Sequence, residues 1–207
     1  MNSFKIVVLL SGEGTNLQTI IDQVDAGKIK AKIAAVISNR PDANGLKRAE
    51  KAGIPNITLE HTHFADREAF DESLAQIIES YEPNLIVLAG FMRILSDGFV
   101  EQFQGKLINI HPSLLPKYKG LHTHKRALEN GDSEHGATVH FVIPELDAGT
   151  NILQGIVPVK PNDTEESLAN RVHKVEHIIY PKAIQWIAEK GVDALDEPAP
   201  YYLEQSK

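Results

Sequence analysis

The sequence predicts an α/β fold: an open, mostly parallel twisted sheet with helices on both faces and an antiparallel strand pair in its C-terminal part. Three observations carry this expectation. Short apolar, β-branched runs alternate with amphipathic segments through about the first 110 residues, the texture of buried parallel strands joined by helical crossovers. Glycine or proline stands where each amphipathic segment stops. After residue 135 two strand-like runs come too close together for a crossover helix, so they pair antiparallel.

The elements follow in order. FKIVVLL (residues 4–10) reads as a buried strand. NLQTIIDQVDAG follows, with Leu17, Ile20, Ile21 and Val24 at helical spacing and Gly27 as its stop. AKIAAVIS (31–38) is a second strand, ANGLKRAEKAGI a helix ending at Gly53, and ITL (57–59) a short third strand. ADREAFDESLAQIIESYEP has helical spacing up to Pro83, NLIVLAG (84–90) is a fourth strand and KLINI (106–110) a fifth. ATVHFVI and ILQGIVPV form the antiparallel pair around ELDAGTN. A long final helix runs from about Thr164 to Lys190, before an acidic, proline-bearing tail. Without repeats or a flexible linker, the pattern predicts one domain over residues 1–190, with 191–207 a tail packed on it or trailing from it.

Composition bounds the function. The chain has 207 residues, no cysteine and a formal net charge of −7, with a pI near 5.7. Disulfides, thiolate nucleophiles and cysteine-rich zinc sites are excluded. An acidic chain is a poor fit to broad nucleic-acid binding, which draws on a basic surface. Ile6 to Leu10 is too short for a secretory core, and no run approaches the ~20 apolar residues of a membrane span. The expectation is a soluble, unprocessed, cytoplasmic protein without nucleic-acid or membrane partners.

In open α/β sheets, ligands bind beyond the carboxyl ends of the strands. Three loops fall there: SGEGTN after strand one, GFMRIL after strand four and HPSLLP after strand five. SGEGTN puts two glycines and two hydroxyls at a helix N-terminus, where backbone amides and the helix dipole favour a phosphate. Leu17 takes the place of the third glycine of a dinucleotide loop, and no GKS or GKT is present. SNRP after strand two has no acid for a ribose hydroxyl, so NAD is disfavoured; Arg40 leaves NADP as an alternative, and one phosphate on a small substrate fits better. A plain strand-to-helix turn also wants glycines, so the loop alone does not decide.

NIHPSLLPKYKGLHTH (109–124) holds three histidines. Asn109 and His111 are two residues apart at a strand end, so their side chains aim to one side, and Pro112 forces the chain out of the sheet. An amide beside an imidazole suits a developing oxyanion. At a reference pKa of ~6.5 an imidazole is mostly neutral at pH 7, and a nearby carboxylate favours its charged form. Asp147, in the ELDAGT turn, is the acid on offer. Ordinary capping of its own turn is the other role for it, and spacing does not choose. His122 and His124 open THKRALENG, where Thr123 reads as a helix cap, and are expected at the surface or in capping. His140 shares a strand face with Thr138 and Val142, buried or behind the site.

Taken together, NIHPSLLPKYKGLHTH, SGEGTN, AGFMRIL, HGATVHFV and ELDAG stand in the order and separation of a known group. From residue 4 to about 190 the chain resembles the glycinamide ribonucleotide transformylases of the folate-dependent formyltransferase family. The resemblance implies a Rossmann-like formyltransferase fold and transfer of a formyl group from 10-formyltetrahydrofolate to 5-phosphoribosylglycinamide in purine synthesis. It implies folate as cosubstrate, no tightly bound cofactor or metal, and a monomer or weak homodimer. By motif, Asn109, His111 and Asp147 match the catalytic trio. Gly14, Thr15 and Asn16 match the loop holding the nucleotide phosphate, and Glu176 a ribose contact. The folate is implied to lie against Asn109, Met92, Arg93, Ile94 and Leu95 and against Ile143, Pro144, Glu145, Leu146 and Asp147, with Arg67 near its glutamate tail. Glu13 within the phosphate loop, Lys119 in place of a frequent proline, and Thr150-Asn151 after LDAG depart from the family pattern. A carboxylate at 13 must turn away from a phosphate.

Two relatives share the chemistry. Methionyl-tRNA formyltransferases carry a further C-terminal domain and formyltetrahydrofolate hydrolases an N-terminal one, and the length of this chain is expected to leave room for neither. From other classes, HKVEH (173–177) fits an inverted zinc-peptidase pattern, with His173 and His177 on one helix face and Glu189, Glu197 or Glu204 as third ligand. A nucleotide-sensing domain without turnover is a further alternative.

Overall fold

The structure, a computed structural model, describes residues 3–191 and 199–202. The strands are β1 (Phe4–Leu10), β2 (Ala31–Ser38), β3 (Asn56–Thr58), β4 (Leu85–Leu88), β5 (Leu107–His111), β6 (Glu134–Phe141), β7 (Asn151–Pro158) and β8 (Ala199–Tyr202). The α-helices are α1 (Thr15–Asp25), α2 (Asn44–Lys51), α3 (Arg67–Ser80), α4 (Asp97–Gln102), α5 (Thr123–Glu129) and α6 (Glu165–Lys190). Strand order is β3-β2-β1-β4-β5-β6-β7-β8. The pairs β1–β2, β1–β4, β2–β3 and β4–β5 are parallel, and β6–β7 is antiparallel. A mostly parallel α/β sheet with an antiparallel pair in its C-terminal part is therefore the architecture observed.

Contacts divide the chain into two compact units, Met1–Asn109 and Ile110–Lys207. In the first, β1, β2 and β4 are buried along nearly their whole length. This is why they read as continuous apolar runs rather than alternating ones. Leu17, Ile20 and Ile21 of α1 and Phe70, Leu74 and Ile78 of α3 are buried as well. Asp66 and Ser96 cap α3 and α4 with their side chains, satisfying amides that the first helical turn leaves open.

In the second unit, α6 is the core helix. Thr164 and Ser167 form a reciprocal capping box at its start. Leu168, Val172, Val175, Ile179, Tyr180, Ala183 and Ile184 run along its buried face. Pro181 lies inside it and cannot donate to the His177 carbonyl, yet the helix continues. Gly155 of β7 admits this helix at close range, since a Cβ there would meet Val175 Cγ2 at 2.4 Å.

One expectation is corrected, and two elements are added. Thr123 does not cap α5: it is the first helical residue, His122 precedes it in a left-handed conformation, and no side chain caps the helix. The short helix α4 was not legible as one, because six residues carry too little periodicity to tell it from the loop before it. Residues 199–202 of the expected tail form β8, parallel to β7, while 192–198 and 203–207 lie outside the described residues. Among the described residues no helix is long and apolar enough to cross a membrane.

Candidate active site

β5 ends on His111, and Pro112 follows where a backbone donor would be needed to continue the strand. Asn109 stands two positions earlier on β5, half-buried, opposite Leu88 of β4 in the ladder. His111 is only 6 % exposed, more enclosed than an open sheet rim implies. Its Nδ1 stands 3.4 Å from Oδ2 of Asp147. Its Nε2 donates to the Tyr118 carbonyl oxygen at 2.9 Å. A carbonyl and a carboxylate both only accept. A proton on either ring nitrogen therefore finds an acceptor facing it.

Asp147 does not cap its own turn. Its Oδ2 accepts a hydrogen bond from the Gly120 amide at 2.9 Å, tying the β6–β7 hairpin to the loop after β5. Its backbone is left-handed, with φ 48°. Two residues on, a Cβ at Gly149 would fall 1.8 Å from the Phe141 carbonyl oxygen, so only glycine fits there. Oδ1 of Asp147 faces His140 Nε2 at 3.8 Å. Burial holds His140 below the ordinary imidazole value, although its bond to the Phe141 carbonyl and Asp147 oppose that. Kept neutral at pH 7 by that burial, His140 brings no full positive charge to Asp147. The carboxylate side chain is 7 % exposed, so the His111–Asp147 pair acts in a medium where Coulomb forces are weakly screened.

The hairpin and the loop after β5 are joined once more, and the loop is tied to α5. Lys119 Nζ reaches Glu145 Oε1 at 3.0 Å, which gives the departure at 119 a partner, and Arg126 donates to the Lys119 carbonyl at 2.8 Å. Ile143 is half-buried, while Pro144, Glu145 and Leu146 are exposed. Leu146 is among the exposed large apolar side chains. Glu176 is buried on α6.

In the first unit, Gly14 is the N-cap residue of α1 at φ 69°, and Thr15 and Asn16 begin the helix; no side chain caps it and no acid lies in its first turn. The Glu13 carboxylate accepts from Asn44 Nδ2 at 2.8 Å. Met92 and Ile94 are exposed and Leu95 is buried. The Arg93 guanidinium stacks on Phe70 at 4.6 Å. Arg67, exposed at the start of α3, pairs with Glu68.

Sequence reasoning missed three features. Ser11 donates to Asn39 Oδ1 at 2.5 Å and accepts from the Met92 amide at 2.8 Å, joining the loops after β1, β2 and β4. A buried serine directly after an apolar strand was the available signal. Tyr118 supplies a carbonyl, which no side-chain motif reveals. His124 is half-buried, not at the surface, and its Nδ1 lies 3.1 Å from Nε2 of the buried His135. Burial and the neighbouring His124 push His135 down to about 4. His122 is exposed, as expected.

With this geometry in place, relatedness can be read. Residues 4–184 match the family model described as Formyl transferase. The chain belongs to the formyl transferase family. Among relatives of this formyl transferase, the phosphoribosylglycinamide formyltransferase of Escherichia coli is 56 % identical over 184 residues, covering 89 % of this chain and 87 % of that protein. The phosphoribosylglycinamide formyltransferase structure from Coxiella burnetii superposes with a TM-score of 0.87 at 53 % identity, over 91 % of this chain and 88 % of that one. The glycinamide ribonucleotide transformylase 1 structure from Symbiobacterium toebii gives 0.88 at 44 % identity, over 90 % and 88 %. The zinc alternative finds no geometric support in this transferase. Among the described residues no group of three or more His, Asp or Glu side chains is arranged to hold a metal; Glu197 and Glu204 lie outside them.

Proposed function

We propose that this chain transfers the formyl group of 10-formyltetrahydrofolate to the primary amine of 5-phosphoribosylglycinamide, as a cytoplasmic enzyme of de novo purine biosynthesis. Both ligands are small molecules, the folate serves as cosubstrate, and neither a metal nor a resident cofactor is called for. Residues 1–190 act as one formyltransferase domain, since the family match crosses both compact units. A monomer or weak homodimer is sufficient, because each chain carries its own complete set of proposed residues.

The observation that carries the reading is the His111–Asp147 pair at the end of β5. The neutral substrate amine attacks the formyl carbon, and its carbonyl oxygen becomes a tetrahedral oxyanion. The Asn109 amide and the His111 Nε2–H donate to that oxygen, which displaces the Tyr118 carbonyl as the acceptor at Nε2. Asp147 holds the ring charged and oriented. The C–N10 bond then breaks, the amine proton leaves and N10 takes up a proton, by way of a water ordered at Asp147. The products are the formamide and tetrahydrofolate.

Gly14, Thr15 and Asn16 hold the substrate phosphate and Glu176 its ribose. Met92, Arg93, Ile94, Leu95, Asn109 and the stretch from Ile143 through Pro144, Glu145 and Leu146 to Asp147 hold the folate, with Arg67 facing its glutamate tail. The similarity to proteins named phosphoribosylglycinamide formyltransferase supports this choice of acceptor. An absorbance assay for tetrahydrofolate formation, run with and without glycinamide ribonucleotide, tests it. Turnover that requires the amine is expected. Release of tetrahydrofolate without the amine identifies a hydrolase instead, and binding without turnover a sensor.

A further inference from the structure

We propose that Arg48, on α2, is a positioning residue for the phosphate seat: it fixes the peptide planes of the 12–14 turn so that their amides face a phosphate monoester. The proposal rests on the reading of this turn as the seat of the substrate phosphate.

Two consecutive carbonyls of the turn are fastened to α2. The Gly12 carbonyl oxygen accepts from the Gly45 amide at 3.0 Å. The Glu13 carbonyl oxygen accepts from Arg48 Nε at 2.8 Å. In a trans peptide the C=O and the following N–H point in opposite directions. Pinning these two carbonyls toward α2 therefore aims the Glu13 and Gly14 N–H groups away from it. Two successive amides turned the same way, continuous with the uncapped first turn of α1, form a concave cradle of donors for an anion.

The same contacts allow little slack. A Cβ at Gly14 would lie 2.6 Å from Gly45 Cα, so the turn and α2 meet backbone to backbone. Arg48 spans both sides of the junction, since its Nη1 also donates to Gln18 Oε1 on α1 at 3.3 Å. Both of these partners are neutral oxygens, and the guanidinium charge adds a positive field at the turn. Arginine suits this task better than lysine: its planar fork fixes two directions at once, whereas an ammonium offers a single movable point of charge.

The test compares glycinamide ribonucleotide with its dephosphorylated riboside on wild type, Arg48→Met and Arg48→Lys. For Arg48→Met, KM for the ribonucleotide should rise roughly tenfold, the scale of one lost charge-assisted hydrogen bond. Its kcat should stay within about twofold, and kcat/KM for the riboside should not change. Arg48→Lys, which keeps the charge but loses the fork, should recover only part of the loss. Equal losses on both substrates, or an unaltered ribonucleotide KM in both variants, overturn the proposal. A wild type that does not prefer the ribonucleotide over the riboside removes the phosphate reading, and the proposal falls with it.

Discussion

Nδ1 of His111, the last residue of β5, faces Oδ2 of Asp147 on the β6–β7 hairpin across 3.4 Å, with both side chains almost wholly out of solvent. The Gly120 amide holds the same oxygen of Asp147. The carboxylate is thus fixed by the backbone on one side and placed against the imidazole on the other. The proposed chemistry depends on this relationship more than on either residue alone.

The proposed mechanism makes Asn109 the second donor to the oxyanion. Asn109→Ala should lower kcat on the order of 10²–10³-fold with KM for both substrates little changed, the signature of an interaction made only in the transition state. Steady-state kinetics check it; a raised KM at normal kcat would assign the amide to ground-state binding instead.

Gly149 sets the hairpin that carries Asp147. Gly149→Ala places a Cβ 1.8 Å from the Phe141 carbonyl oxygen, and a backbone neighbour has nowhere to go. The variant should lose both thermal stability and kcat, by several degrees and at least tenfold, because the hairpin must shift to admit the methyl. Melting and turnover measured on one preparation read both effects.

Acid stability has a named contributor. Hydrogen bonds from Arg171 hold the Asp163 carboxyl well below the usual carboxylate range, against the cost of burial, with Arg171 Nη2 at 2.7 Å from Oδ1. A carboxyl depressed on folding adds stability that is fully present above its unfolded value of ~3.9 and is lost as pH falls toward its folded value. Asp163→Asn should cost about 1–3 kcal/mol at pH 7. It should also flatten the loss of stability below about pH 4, as read from denaturant unfolding at several pH values.

His135 acts in the adjoining pH range. Its folded value of about 4 lies below that of a free imidazole. Between pH ~6.5 and that value the unfolded chain therefore binds a proton that the folded one refuses, so stability falls as pH drops through this interval. His135→Gln should shallow that slope. An unchanged slope would mean that the His124–His135 contact opens at little cost.

Much of the fold was legible because its strands and helices announce themselves by period. β1 and β2 were read to the residue, since buried parallel strands are unbroken apolar runs bounded by glycine and polar residues. The start of α6 near Thr164 was legible as the opening of a long helix, and a capping box fixes it there. The geometry of Asp147 was not: a turn aspartate has the same local pattern whether it caps its own backbone or reaches another loop, and only tertiary packing separates the two. Tyr118 was invisible for a related reason, because every residue has a carbonyl and sequence does not say which one meets His111. His124 was misjudged since the side chain that covers it, His135, comes from a later strand.

A double-mutant cycle on kcat, with Asp147→Asn, His111→Asn and the combined variant, tests most directly whether the two residues work as one unit. The pairing predicts strong non-additivity: each single variant loses most of the activity, and the double variant is no slower than the worse single one. Losses that multiply in the double variant, or an Asp147→Asn enzyme turning over at the wild-type rate, would contradict it.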